Sequence, residues 1–134
     1  MKDENIMRFG KYIRKKRLDD PRELTQRDVS EAIGISLTYL SEIEAGRKKA
    51  LDSKAIERFC EYLNLDAEEK ARLYDLAAQE KNEVPADIED VFMYEPIGNL
   101  ARFALRESNA GNITEEDWKQ FIRDIETKKR KGSQ

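Results

Sequence analysis

The 134-residue sequence predicts an all-α fold: a five-helix domain over residues 1–80 and a small C-terminal helical extension over residues 81–134. Three observations carry this. Ala, Leu, Glu, Lys and Arg dominate, while strand-forming residues are sparse. Hydrophobic residues make up 39% and charged residues 40%, enough for a compact helical core under a heavily charged surface. Apolar residues recur at steps of three and four, the period of a helix face.

A first helix is expected over 6–18. Ile6, Phe9, Ile13 and Arg17 fall near one face, with Tyr12 beside them. Pro21 ends it, because the residue before a proline, here Asp20, disfavours helical backbone. Thr25 reads as an N-cap whose hydroxyl accepts from the Asp28 amide, and Asp28 suits the positive helix end. The second helix is expected over 26–33 with Val29, Ala32 and Ile33 inward. Gly34 stops it in the left-handed conformation that glycine adopts cheaply. Ser36 caps a third helix over 37–45, with Leu40 and Ile43 inward and Gly46 at its end. Asp52 or Ser53 caps a fourth, reaching Asn64, with an apolar stripe of Ile56, Phe59, Cys60 and Leu63. Asp66 and Glu69 resemble a capping pair for a fifth helix over 67–80, whose Leu73, Leu76 and Ala77 face the core.

Residues 81–85 are a polar break and the best candidate linker. A short helix over 88–94, stopped before Pro96, and another over 97–106 follow. Asn109 to Asn112 is a loop. Thr114 with Asp117 caps a final helix with Trp118, Phe121, Ile122 and Ile125 on one face. From Thr127 the tail is basic and poor in apolar residues, and a flexible, frayed end is expected.

The composition excludes several kinds of chemistry. There is no histidine, which removes the usual general base, the usual zinc ligand and every histidine-based triad. No C-x-x-C pair, Gly-rich phosphate loop or G-x-S-x-G occurs. No catalytic residue, cofactor or metal ligand is expected, and no enzyme. No apolar run approaches the roughly 18 to 20 residues that span a bilayer. Residues 1–7 lack the apolar stretch of a signal peptide. No membrane partner and a cytoplasmic location are expected. The single cysteine, Cys60, falls on a core stripe and fits a reducing compartment.

The net charge of −3 argues at first against nucleic acid. Its distribution matters more. Residues 1–54 carry 13 Lys/Arg against 10 Asp/Glu, net +3, and residues 55–134 carry 12 against 18, net −6. The basic side chains of the first part cluster as Arg14-Lys15-Lys16-Arg17 and Arg47-Lys48-Lys49. An acidic protein binds DNA when one face is locally basic.

The stretch from Leu24 to Glu44 joins two short helices by a tight turn at Gly34. Apolar residues fall at Val29, Ile33, Ile35, Leu40 and Ile43, and small Ser30 sits where the helices must approach closely. The second helix then braces the third, whose outer face is left to enter a major groove. The residues Leu24-Thr25-Gln26, Val29, Ile33-Gly34-Ile35-Ser36, Tyr39-Leu40-Ser41, Ile43-Glu44 and Gly46 resemble the Xre family, the Cro and phage-repressor-like helix-turn-helix regulators. The resemblance covers residue 6 to about residue 78. It implies a five-helix domain that binds double-stranded DNA, usually a palindromic operator as a dimer. It places Gln26 at a phosphate and Leu37, Thr38, Ser41 and Glu42 on the exposed face of the recognition helix, with Ser36 and Tyr39 in the same DNA-binding set. Arg47, Lys48 and Lys49 fall where the family touches the phosphate backbone, and Arg17 with Glu44 matches an internal salt bridge. The sequence departs from the pattern in a longer loop at Asp19 to Glu23, in Ser30 for the commoner alanine, and in Leu51 where a proline often stands.

The chemistry of these residues agrees with the implied roles. Lys and Arg neutralise phosphates and release counterions. Glu42 can accept from cytosine N4, Leu37 can pack on a thymine methyl, and Thr38 can bond a base or a phosphate. The reading helix lacks the Arg, Asn or Gln of strong bidentate base contacts, so DNA shape is expected to share in specificity. Blander readings stand beside these. Lys15 and Lys16 also fit a solvated face, Glu42 a local pair, and Tyr39 packing on the second helix.

The C-terminal apolar residues Ile88, Val91, Phe92, Leu100, Phe103, Leu105, Trp118, Phe121 and Ile125 need burial. The first domain, a second copy or another protein can supply it. A homodimer on two half-sites about 34 Å apart is expected. The expected function is a transcriptional repressor. The alternatives are an antitoxin whose C-terminal segment binds a protein partner, a toxin or another regulator, and an interaction module that has lost DNA binding.

Overall fold

The structure is a computed structural model that describes residues 7–132. Ile6 and most of the segment read for a signal peptide lie outside the described residues. Among the described residues there are eight helices and no strand. Residues up to Glu89 form one compact unit and those from Asp90 a second.

The first unit contains α1 (Phe9–Asp19), α2 (Gln26–Ile33), α3 (Leu37–Glu44), α4 (Ser53–Leu63) and α5 (Ala67–Lys81). Short-range signals set most of these ends. Thr25 accepts from the Asp28 amide at 3.0 Å and the Asp28 carboxylate accepts from the Thr25 amide at 2.9 Å, so two helix-start donors are satisfied reciprocally. Ser36 accepts from the Tyr39 amide, Asp52 from Ala55, and Asp66 exchanges the same pair of bonds with Glu69. Gly34 closes α2 at φ 78°, a left-handed backbone in which the Gly34 and Ile35 amides both reach the Ser30 carbonyl. The α1 helix starts at Phe9; Arg8 before it is extended and makes no side-chain cap bond.

The core lies among these five helices. Phe9, Ile13, Val29, Ile33, Leu40, Ile43, Ile56, Phe59 and Leu73 are fully buried. α1 packs on α3 and α5, α2 on α3 and α4, and α4 on α5. The apolar stripes expected on α4 and α5 are buried, including Cys60, whose thiol burial pushes up to about 11. Leu51 also enters the core. Ala32 does not: it is exposed, and Ser30 is buried instead. Ser30 and Ala32 flank the Val29–Ile33 pair on opposite sides of the helix, and the packing closes over the Ser30 side.

Two features had no forecast. A Cβ on Gly10 would stand 1.9 Å from the Ile43 carbonyl oxygen, so only glycine lets α1 approach α3 this closely. Arg22 holds the long loop after α1 down: it pairs with Asp20 at 2.9 Å, donates to the Tyr62 carbonyl at 2.7 Å and stacks over the Tyr62 ring.

The second unit contains α7 (Pro96–Asn109) and α8 (Glu115–Gly132), preceded by α6 (Glu89–Tyr94). Pro96 opens α7 at a position where its missing N–H costs nothing. Thr114 and Asp117 exchange capping bonds at the start of α8. Trp118 Nε1 donates to Ser108 Oγ at 2.8 Å, tying the start of α8 to the end of α7. α8 runs past Thr127, where the basic tail begins, and continues to Gly132. Lys and Arg are good helix formers, and their charge suits the negative helix end. Gly98 is the only buried residue of α6, α7 and α8.

Candidate nucleic-acid interface

A buried polar cluster positions the helix pair. Arg17, on α1, meets Glu44, at the end of α3, through two bonds: Nε to Oε2 at 2.9 Å and Nη2 to Oε1 at 2.8 Å. Arg17 Nη1 also donates to the Leu24 carbonyl at 3.1 Å, just before α2. Gln26, in the first turn of α2, donates from Nε2 to Glu44 Oε1 at 2.9 Å. One carboxylate therefore joins α1, α2 and α3. The bonds it donates to Glu44 hold the Arg17 guanidinium protonated more firmly than usual, against the opposing effect of burial.

The turn between α2 and α3 has a second anchor that sequence reasoning missed. Arg58, on α4, donates to the Ile33 carbonyl at 3.3 Å, a cation at the negative end of α2. Nothing in the local sequence pairs residue 58 with residue 33; only the packing of α4 on α2 brings them together.

On the outer side, Thr38 and Tyr39 are exposed in the first turn of α3, while Leu37, Ser41 and Glu42 are half-buried. Tyr39 is 38% exposed, which leaves much of its ring open to a ligand. The Ser36 hydroxyl oxygen is engaged as the α3 cap, although its proton remains able to donate. Gln26 is half-buried and shares its amide with Glu44.

After α3 the chain turns back at Gly46. The Arg47 and Lys48 amides both reach the Glu42 carbonyl, at 2.9 and 3.3 Å. The Arg47 side chain grips the Glu42 carboxylate from Nε at 2.9 Å and Nη2 at 3.2 Å. These bonds hold the Glu42 carboxyl below its ordinary range, so it stays anionic. Glu42 thus forms the local pair that was one of its two readings. Arg47, Lys48 and Lys49 are all exposed beside α3.

The other basic run divides. Arg17 is internal. Lys16 bonds Glu69 at 2.6 Å and lies 5.2 Å from the Tyr12 ring centre, and Lys15 bonds Asp19 at 2.6 Å. Lys16 and Lys15 thus serve as structural or surface pairs in this structure. Arg14 is exposed.

Among the described residues no helix is long and apolar enough to cross a membrane. No curated protein and no solved structure matches the chain. A family model described as a helix-turn-helix domain matches residues 8–73, which run from the residue before α1 into α5. The first unit is a helix-turn-helix domain within an all-α fold.

Proposed function

We propose that this protein is an Xre-type, sequence-specific regulator of double-stranded DNA, acting as a repressor that binds a palindromic operator as a homodimer. Residues 1–80 form its DNA-binding domain, and residues 81–134 serve dimerisation or partner binding. One observation carries the reading: exposed Thr38 and Tyr39 in the first turn of α3 and the exposed Arg47-Lys48-Lys49 loop, folded back on its last turn, belong to a helix pair joined by the Arg17–Glu44–Gln26 cluster. Thr38, Tyr39, Leu37, Ser36 and Ser41 form the reading surface, and Gln26, Lys48 and Lys49 meet phosphates. Arg47 exchanges its bond to Glu42 for a phosphate, which releases the Glu42 carboxylate toward a cytosine amino group.

A second reading, an antitoxin, draws on the exposed apolar residues of the second unit and the net −6 of residues 55–134. It uses the same DNA-binding domain.

Binding to the DNA upstream of its own gene, measured at several salt concentrations, tests DNA recognition. Log affinity is expected to fall linearly with log salt. Each of Lys48→Ala and Lys49→Ala should reduce the slope by about 1 per subunit. Thr38→Ala should keep its fold and slope but lose discrimination between upstream and unrelated DNA. Failure to bind any upstream fragment would overturn the proposal and favour an interaction module.

A further inference from the structure

The second unit exposes apolar side chains that water does not favour. Tyr94 is 76% exposed, Ile97 61%, Leu100 66%, Phe103 64%, Phe121 55% and Ile122 51%. Val91, Met93, Leu105 and Ile125 are exposed as well, by 37–50%. Large apolar side chains exposed in this number mark an interaction surface. The unit also has no core of its own to compensate, since Gly98 is the only buried residue of its helices.

The charge pattern of α8 selects the occupant and its direction. Trp118, Phe121, Ile122 and Ile125 fall at steps of three, four and seven, a single stripe. By the same steps Glu115 continues the stripe at its start, and Lys128 and Lys129 continue it at its end. The first turn holds Glu115, Glu116 and Asp117; the last holds Lys129, Arg130 and Lys131. Glu115 and Glu116 also pair within the helix, with Lys119 and Arg123, but the ends keep opposite net signs. Two parallel copies would set acid on acid and base on base. Two antiparallel copies set each acidic start against the other's basic end, and Phe121 and Ile122 fall midway between them.

We infer that α8 pairs antiparallel with α8 of a second copy of this chain, with Phe121 and Ile122 at the two-fold axis and Glu115 of each copy beside Lys128 and Lys129 of the other. The inference rests on the proposed dimeric regulator and specifies how the two copies meet.

Full-length Glu115→Cys and Lys129→Cys variants test it under mild oxidation, alone and mixed. The two positions lie about 21 Å apart along the helix, so they discriminate direction. Native Cys60 is buried, with its thiol pushed up to about 11, and does not compete. The mixture should form a disulfide-linked dimer, while each variant alone should not. Self-linking of Glu115→Cys, or an unlinked mixture, would overturn the antiparallel pairing. Sedimentation of Phe121→Glu/Ile122→Glu, with helicity checked by circular dichroism, should show the monomer mass where the unaltered chain shows the dimer. A monomeric unaltered chain, or a dimer that survives this substitution, would also overturn it. The salt dependence of DNA binding by the first unit stands apart from both readouts, so loss of the α8 pairing and loss of DNA recognition give different results.

Discussion

Glu44 concentrates three roles in one side chain. It is 8% exposed, accepts two bonds from Arg17, and accepts one from Gln26. Removing one member of a buried pair leaves the other charge uncompensated, which destabilises by about 3–5 kcal/mol. Glu44→Ala should therefore lower the urea midpoint sharply, whereas replacing both partners, Arg17→Met with Glu44→Leu, should recover much of the loss. Equal destabilisation by the single and double variants would show that the pair itself is not what matters. The pair was legible only through the family resemblance, since residues 17 and 44 share no local pattern. Gln26 shows the limit of such reading: its place at the start of α2 suggested a phosphate contact, but nothing there showed that Glu44 also claims its amide. Gly10 was illegible for another reason. A glycine inside a helix reads as a loss of propensity, and its use appears only when the Ile43 carbonyl is seen against it.

Helix boundaries were legible wherever a side chain within three residues satisfies the exposed backbone donors. That holds for α2, with Thr25, Asp28 and Gly34, and for the starts of α3, α4 and α5. It fails at the end of α8, where the basic residues from Thr127 carry no stop signal and extend the helix to Gly132. It failed also for Ala32, because an eight-residue helix offers too few turns to fix the inward arc to one residue. The Thr25 cap carries its own prediction. The bonds from Thr25 to Asp28 hold that carboxyl below its ordinary range, which shows that the anion is favoured in the fold. Thr25→Ala should cost about 1 kcal/mol, read by urea denaturation, while Thr25→Ser should cost less. No change in either would mean that α2 is held by its packing on α3 and α4 alone.

At the scale of the molecule, the apolar C-terminal residues signalled a need for burial, but a sequence cannot say whether the cover comes from within the chain. The titration behaviour follows from the shifted groups among the described residues, of which Asp75 is the one carboxyl that burial raises. Six carboxyls are held below their ordinary values: Asp20, down to about 2 by its bonds from Arg22; Glu69 by Lys16; Glu57 by Lys70 and Tyr74; Glu42 by Arg47; and Asp28 and Asp117 by their helix caps. A lowered folded value means stability that is present above the unfolded carboxylate range and is lost as pH falls through the folded values. On the alkaline side Lys16 and Lys70 are raised by Glu69 and Glu57, and burial raises Cys60 to about 11 and Tyr74 further. Stability from these groups is complete at neutral pH. It starts to fall when the unfolded thiol and then the tyrosine and lysines ionise, above about pH 9. Between the two ranges the chain has no histidine to titrate. The melting temperature should therefore be level from about pH 5.5 to about pH 8 and decline below about pH 4.5. Calorimetric melts across that range check this. A step in melting temperature between about pH 6 and 7 would require a titrating group that none of these interactions supplies.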